Sequence, residues 1–378
     1  MTREPDPPVP DSPSPDAPTT AWIGANRCFG ALFGDPAIGA LFGTRATLDA
    51  MLTFEIALTR ALVGTGAVDR SAGQAALSAM DGFSPDLGAI ERAALHDGLP
   101  VPSFVRQLTT HVTNAAGEAA ARALHVGATS QDLLDTGLAV ALREASDVLE
   151  GRLAAVAEAL DELAVRWGDE PLTGRTRMQA ALPITAGHRV QAWRTPLGGH
   201  LARLADLRPR VERVQYGGPV GTRREPANAA NAVADAIADA LGLQRAARAW
   251  HTDRAGIVEY GQWLALVAGS LGKMGRDMAL MAQMGEIALA GGGTSSAMAH
   301  KRNPVAAELL EGQARFAVGL AGTLHHAALH EQERSGAAWA IEWMALPPLA
   351  ETCGAMLVHA NRLVRSVERI GEGAGGPG

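Results

Sequence analysis

"LLDTGLAVALREASDVLEGRLAAVAEALDELAVRW" occupies residues 133–167 and contains no proline. Leu138, Leu142, Leu149, Leu153, Val156, Leu160 and Leu163 recur at the spacing of one helix face. A helix this long exceeds the span of about 8–20 residues usual in globular domains. Its apolar stripe needs cover along its whole length, which calls for other long helices beside it. The chain supplies them. A second helical pattern covers about 187–214, and its "TPLGG" at 195–199 is expected to kink it. A third covers about 257–289. A fourth begins at Pro304, with Asn303 as N-cap and the proline at the first helical position. Leu48, Met51, Leu52, Leu58 and Leu62 mark one face of an earlier helix. Convincing strands are absent. The expected fold is all-α, an elongated multi-helix bundle with apolar surface to spare for a core shared between subunits.

Composition agrees. The 378 residues are 47% hydrophobic but only 4% aromatic, a balance that suits helix packed on helix. A net charge of −7 leaves no basic footprint for nucleic acid, so important cations should act as local clamps on anions. No window of about 20 apolar residues is long enough to span a membrane, and no signal peptide is evident. A cytoplasmic location is expected. Cys28 and Cys353 form no CxxC pair and read as two reduced thiols. Residues 1–20 are Pro- and Asp-rich with almost nothing to bury, and read as a disordered tail. The expected division is a helical domain over 21–124, the long-helix bundle over 125–345 and a short helical segment over 346–378.

Three polar islands interrupt the helices. "HVGATSQDLLDTG" (125–137) precedes the first long helix, "GRTRMQAALPITAG" (174–187) the second, and "GGGTSSAMAHKRNP" (291–304) the fourth. Each gathers hydroxyl, amide or basic side chains with Gly or Pro, as ligand loops mounted on rigid helices do. Any one of them is equally readable as a helix start, with Ser130 or Thr176 as a cap.

At these residues the chain resembles the fumarase/aspartase superfamily, whose signature loop reads roughly GSSxMPxKxNP. Ser295, Ser296, Met298, Lys301, Asn303 and Pro304 match it, while Thr294 and Ala299 depart from it. "HVGATSQD" and "GRTRMQAALP" resemble the other two signature regions. "GATSQDLLDTG", "WHTDR" (250–254) and "ERSGAAWAIEWMALP" (333–347) resemble the bacterial 3-carboxy-cis,cis-muconate cycloisomerase branch. The resemblance implies a homotetramer with each active site assembled from three subunits. It also implies a further small helical domain, of which little follows residue 345. The implied reaction uses no metal or cofactor and acts across a carbon–carbon double bond beside a carboxylate of a small tricarboxylate substrate.

Such chemistry passes through an enolate-like dianion, which needs fixed positive charge and hydrogen-bond donors. The resemblance makes Ser295 the proton carrier, supported by Lys301 and Asn303, with Ser296 beside it. Consecutive glycines allow the loop to approach and close over substrate. Thr129, Ser130 and Gln131 correspond to a carboxylate-binding triplet. His125, Gln179, Arg177 and Arg254 are further expected binding residues, although Arg254 is also readable as a surface charge. Position 177 usually holds a His that pairs with a Glu for proton transfer. Here Glu308 keeps the Glu position, but arginine stays protonated and cannot shuttle protons near neutral pH. Arg177 is therefore expected to pair with Glu308 or to clamp a substrate carboxylate. His325, His326 and His330 read as a polar face of the fourth helix. The alternatives are a fumarate-releasing lyase of the adenylosuccinate lyase kind, and a non-catalytic helical scaffold.

Overall fold

A computed structural model describes residues 27–294, 298 and 302–371. The expected tail at 1–20 and the loop residues Ser295, Ser296, His300 and Lys301 lie outside the described residues. Six helices come first: α1 (Arg27–Phe33), α2 (Pro36–Leu41), α3 (Thr44–Gly64), α4 (Arg70–Met80), α5 (Leu87–Asp97) and α6 (Val101–Ala121). Asp35, Asp69 and Asp86 cap α2, α4 and α5 by accepting backbone N–H bonds. Then comes α7 (Ser130–Trp167), followed by strands β1 (Pro171–Thr176) and β2 (Gln179–Thr185), α8 (Ala186–Val211), α9 (Ala230–Leu241) and α10 (Ala255–Gln283). Next come β3 (Ile287–Leu289), β4 (Gly293–Thr294), β5 (Arg302–Asn303), α11 (Val305–His326), α12 (Gly336–Arg365) and β6 (Val367–Ile370).

The bundle is built from α7, α8, α10, α11 and α12. The stripe of α7 packs as its spacing predicts, with Leu142, Leu149, Leu153, Val156, Leu160 and Leu163 fully buried. Helices α10 and α11 approach closely because glycine lines their contact. A Cβ on Gly272 would sit 2.4 Å from that of Ala314, and one on Gly275 only 2.7 Å from the Ala307 carbonyl oxygen.

The strand expectation is overturned. Among the described residues, three two-stranded antiparallel ladders pair β1 with β2, β3 with β6 and β4 with β5. They are short and local, so their period-two signal is lost among long helical patterns. The third helix stops at Gln283, and residues 287–289 pair as a strand. Pro304, not Asn303, occupies the N-cap of α11, because Asn303 is held in β5 opposite Gly293. Helix α8 runs on through Pro196 and Pro209, and α12 continues through position 345.

Topology places the polar islands. Helix α7 has 38 residues, so its ends lie about 57 Å apart at 1.5 Å per residue. The first island sits at its start, and the β1–β2 hairpin of the second follows its end. The β4–β5 ladder of the third follows α10 and β3 at that same far end, where Arg175 of β1 meets Glu286.

Candidate functional site

At the near end, Thr129 is the N-cap of α7 and forms a capping box with Asp132. The Thr129 N–H donates to Asp132 Oδ2 at 3.0 Å, and the Gly218 N–H donates to the same oxygen at 3.0 Å. His251 Nε2 lies 2.8 Å from Asp132 Oδ1. This carboxylate therefore ties the start of α7 to the segments around 218 and 251. Half-buried Thr129 and Ser130 face the positive end of a long helix, which favours an anion there.

His125 stands in left-handed backbone geometry, φ 56°. Its Nδ1 lies 2.5 Å from Glu55 Oε1, and its N–H donates to Oε2 at 3.2 Å. Burial draws the imidazole pKa down, but the hydrogen bond and charge of buried Glu55, with Asp132 beyond, raise it above the ordinary value. His125 is thus held as a cation-prone group at the rim.

Two expected binding residues face inward instead. Gln131 is fully buried, and its Nε2 donates to the His251 carbonyl at 2.9 Å. Arg254 is 1% exposed. Its guanidinium donates to Asp135 at 2.7 and 3.0 Å and to Glu342 at 2.7 Å, and lies 4.8 Å from the Trp250 ring centre. Burial opposes its charge, yet Asp135 and Glu342 more than offset this and push its pKa up. Both residues brace the near end from within through these partners. A carboxamide and a guanidinium suit either task, and only the packing around them decides which.

Arg334 was missed by the sequence reading. It follows α11, and its Nη2 donates to Thr129 Oγ1 at 3.0 Å and to the Pro219 carbonyl at 3.2 Å. It pairs with no carboxylate among the described residues, and its Nε is buried without a hydrogen-bond partner. A cation is thus placed beside the hydroxyl expected to meet a carboxylate. The available signal was the Glu-Arg-Ser stretch at 333–335. The histidine cluster also divides. His325 and His326 end α11 in solvent, whereas the His330 side chain is buried with Nε2 3.7 Å from Glu342 Oε1. The polar-face reading thus fails for His330, because α11 stops before it.

At the far end, Thr176 pairs with Gln179 across a two-residue turn. Arg177 and Met178 both take left-handed geometry, φ 49° and 66°. Tight hairpin turns ask for that geometry, but glycine or asparagine normally supplies it. Two larger side chains are accepted here, and both project into solvent with Gln179. Arg177 forms no ion pair with Glu308, which is exposed on the first turn of α11. The β4–β5 ladder closes the base of the third island, pairing Gly293 with Asn303 and Thr294 with Arg302.

A cavity of about 240 Å³ opens between α2, α3, α7 and α12. It is walled by apolar side chains such as Phe42, Leu138 and Trp343, and none of the expected binding residues lines it. No group of His, Cys, Asp and Glu side chains suited to a metal occurs among the described residues.

The family model described as Lyase matches residues 34–319, and the chain belongs to this family, the fumarase/aspartase superfamily. It is thereby an enzyme of the lyase–isomerase type. The chain is 41% identical over 352 residues to 3-carboxy-cis,cis-muconate cycloisomerase of Pseudomonas aeruginosa, covering 92% of this chain and 76% of the relative. It is 37% identical over 322 residues to nitrosuccinate lyase of Streptomyces davaonensis, covering 82% and 68%. Among solved structures, the 3-carboxy-cis,cis-muconate lactonizing enzyme of Pseudomonas putida superposes with a TM-score of 0.83 at 38% identity, covering 91% and 77%. No described helix is long and apolar enough to cross a membrane.

Proposed function

We propose that the chain converts 3-carboxy-cis,cis-muconate to 4-carboxymuconolactone, in the β-ketoadipate route of aromatic catabolism. One substrate carboxylate attacks the double bond within its own molecule and closes the lactone. The displaced electron pair passes to the carbon beside another carboxylate, and Ser295 returns a proton to that carbon. Lys301 and Asn303 stabilise the enolate-like charge. Thr129, Ser130, Arg177, Gln179 and Arg334 hold the carboxylates, with His125 at the rim.

Arg177 carries the choice of reaction. It replaces the histidine expected of a proton-transfer pair and stands free of Glu308 on a solvent-facing turn. A lyase that expels an amine needs a proton donor for its leaving group. A cycloisomerase running in reverse expels a carboxylate, whose conjugate acid has a pKa of about 4, and needs none.

The separation of the two ends, about 57 Å along α7, supports a site shared between subunits. A chain that holds Thr129 at one end and Arg177 at the other must complete each site with neighbouring copies. We therefore propose a cytoplasmic homotetramer. Exposed Leu266 on α10 and Val318 on α11 offer apolar surface for it.

Ultraviolet absorbance tests the activity. Loss of the conjugated diene on adding 3-carboxy-cis,cis-muconate is expected. Fumarate release from adenylosuccinate, with the diene untouched, would overturn the assignment.

A further inference from the structure

Glu286 lies between α10 and β3, outside every signature region, and is 4% exposed. Its side chain faces the hairpin. Arg175 Nε and Nη2 donate to Glu286 Oε1 at 3.1 and 2.7 Å, and Arg189 Nη1 lies 3.9 Å from Oε2. Arg189 also donates to the Thr173 carbonyl of β1 at 3.3 Å. The main chain of Glu286 faces the other way. Its N–H donates to the Met281 carbonyl at 2.8 Å, and its carbonyl accepts from the Gly371 N–H at 3.0 Å, just past β6. The next residue, Ile287, begins the β3–β6 ladder from which the 291–304 loop departs.

The hairpin needs this contact. Few of its residues reach the core: Leu172 is buried, whereas Met178 and Leu182 are 68% and 76% exposed. Apolar packing alone does not hold its tip in place. Two charge-assisted guanidinium bonds converging on one oxygen of a buried carboxylate do, because together they fix the guanidinium's direction as well as its distance.

We propose that Glu286 is a positioning residue that locks the Arg177–Gln179 tip to the root of the 291–304 loop, so that the two are presented as one rigid unit. The contribution to catalysis rests on the function proposed above, while the mechanical coupling does not. Glu286→Gln keeps the shape and removes the charge. Arg175→Gln cuts the same contact from its exposed side, so the proposal remains testable if Glu286→Gln fails to fold.

Hydrogen exchange of the full-length chain reads the coupling without any substrate. In either variant, amides of β2 and β3 should exchange together, about tenfold faster than in the wild type. Unchanged exchange in the hairpin would overturn the proposal. If the wild type turns over 3-carboxy-cis,cis-muconate, each variant should raise KM about tenfold with kcat altered less than about threefold, the scale of one charge-assisted hydrogen bond. The double variant should be no worse than either single one. A lowered melting temperature with wild-type KM, or effects on KM that multiply, would mark a merely structural residue. Lack of turnover in the wild type would sink the activity but leave the exchange result to decide the coupling.

Discussion

Arg254 and Glu342 join α10 to α12 inside the bundle, with Arg254 Nε donating to Glu342 Oε1 at 2.7 Å and both residues no more than 1% exposed. Asp135 of α7 completes the cluster from the other side. One buried cation thus balances two carboxylates. Arg254→Met should leave those carboxylates facing each other and destabilise the fold by about 3–5 kcal/mol. Glu342→Gln, which preserves the Arg254–Asp135 pair, should cost clearly less. Urea unfolding at one fixed protein concentration checks the order, and equal losses would contradict this account of the cluster.

The Glu55–His125 pair has a direction in pH. The raised pKa of His125 means the folded state binds the proton more tightly than the unfolded one. The resulting stabilisation is complete below the ordinary histidine value of about 6.5 and is lost as pH rises through the raised folded value. Melting temperatures of wild type and His125→Asn should therefore converge on going from mildly acidic to alkaline buffer. In Glu55→Gln the His125 imidazole resonance should titrate at lower pH. An unmoved midpoint would remove Glu55 as the cause.

Arg334→Ala should raise KM at least about tenfold, the scale of one hydrogen bond to a charged group. Arg334→Lys keeps the charge but loses the planar fork, and should fall between. Wild-type KM in both variants would confine Arg334 to bracing Thr129 and Pro219.

Ser295→Ala should lower kcat by about 10²–10⁴-fold, the usual contribution of a general acid–base group, while the circular dichroism stays unchanged. Near-wild-type turnover would pass the proton-carrier role to Ser296.

The two-ended layout predicts complementation. Arg334→Ala and Ser295→Ala chains, mixed, unfolded, reassembled and assayed at substrate well below the raised KM, should exceed the mean activity of the two variants assayed apart, because some hybrid sites draw both intact residues from different copies. Mixed oligomers that do not exceed that mean would place a complete site within one chain.

The long helices were legible because helical periodicity is local: the stripe from Leu142 to Leu163 buries as its spacing requires. The three islands were legible because clusters of hydroxyl, amide and glycine residues stand out against Ala- and Leu-rich helices. The short ladders were not, since a strand of two to seven residues carries little pattern, and two of the three pair segments remote in sequence or separated by a loop.

The sequence by itself determined an elongated helical bundle, its signature loops and its membership of the lyase family, because these rest on residue type and spacing along the chain. Only the tertiary structure decided what each polar group does. Arg254 turned inward because Asp135 and Glu342 meet it from two other helices, and Gln131 is engaged by the His251 carbonyl. Arg334, which lies in a motif the sequence reading quoted without giving the arginine a role, comes to Thr129 because α11 returns the chain to the start of α7. Charge and hydrogen bonding act across space, so a residue's partners, and with them its role, follow from which helix ends the fold brings together.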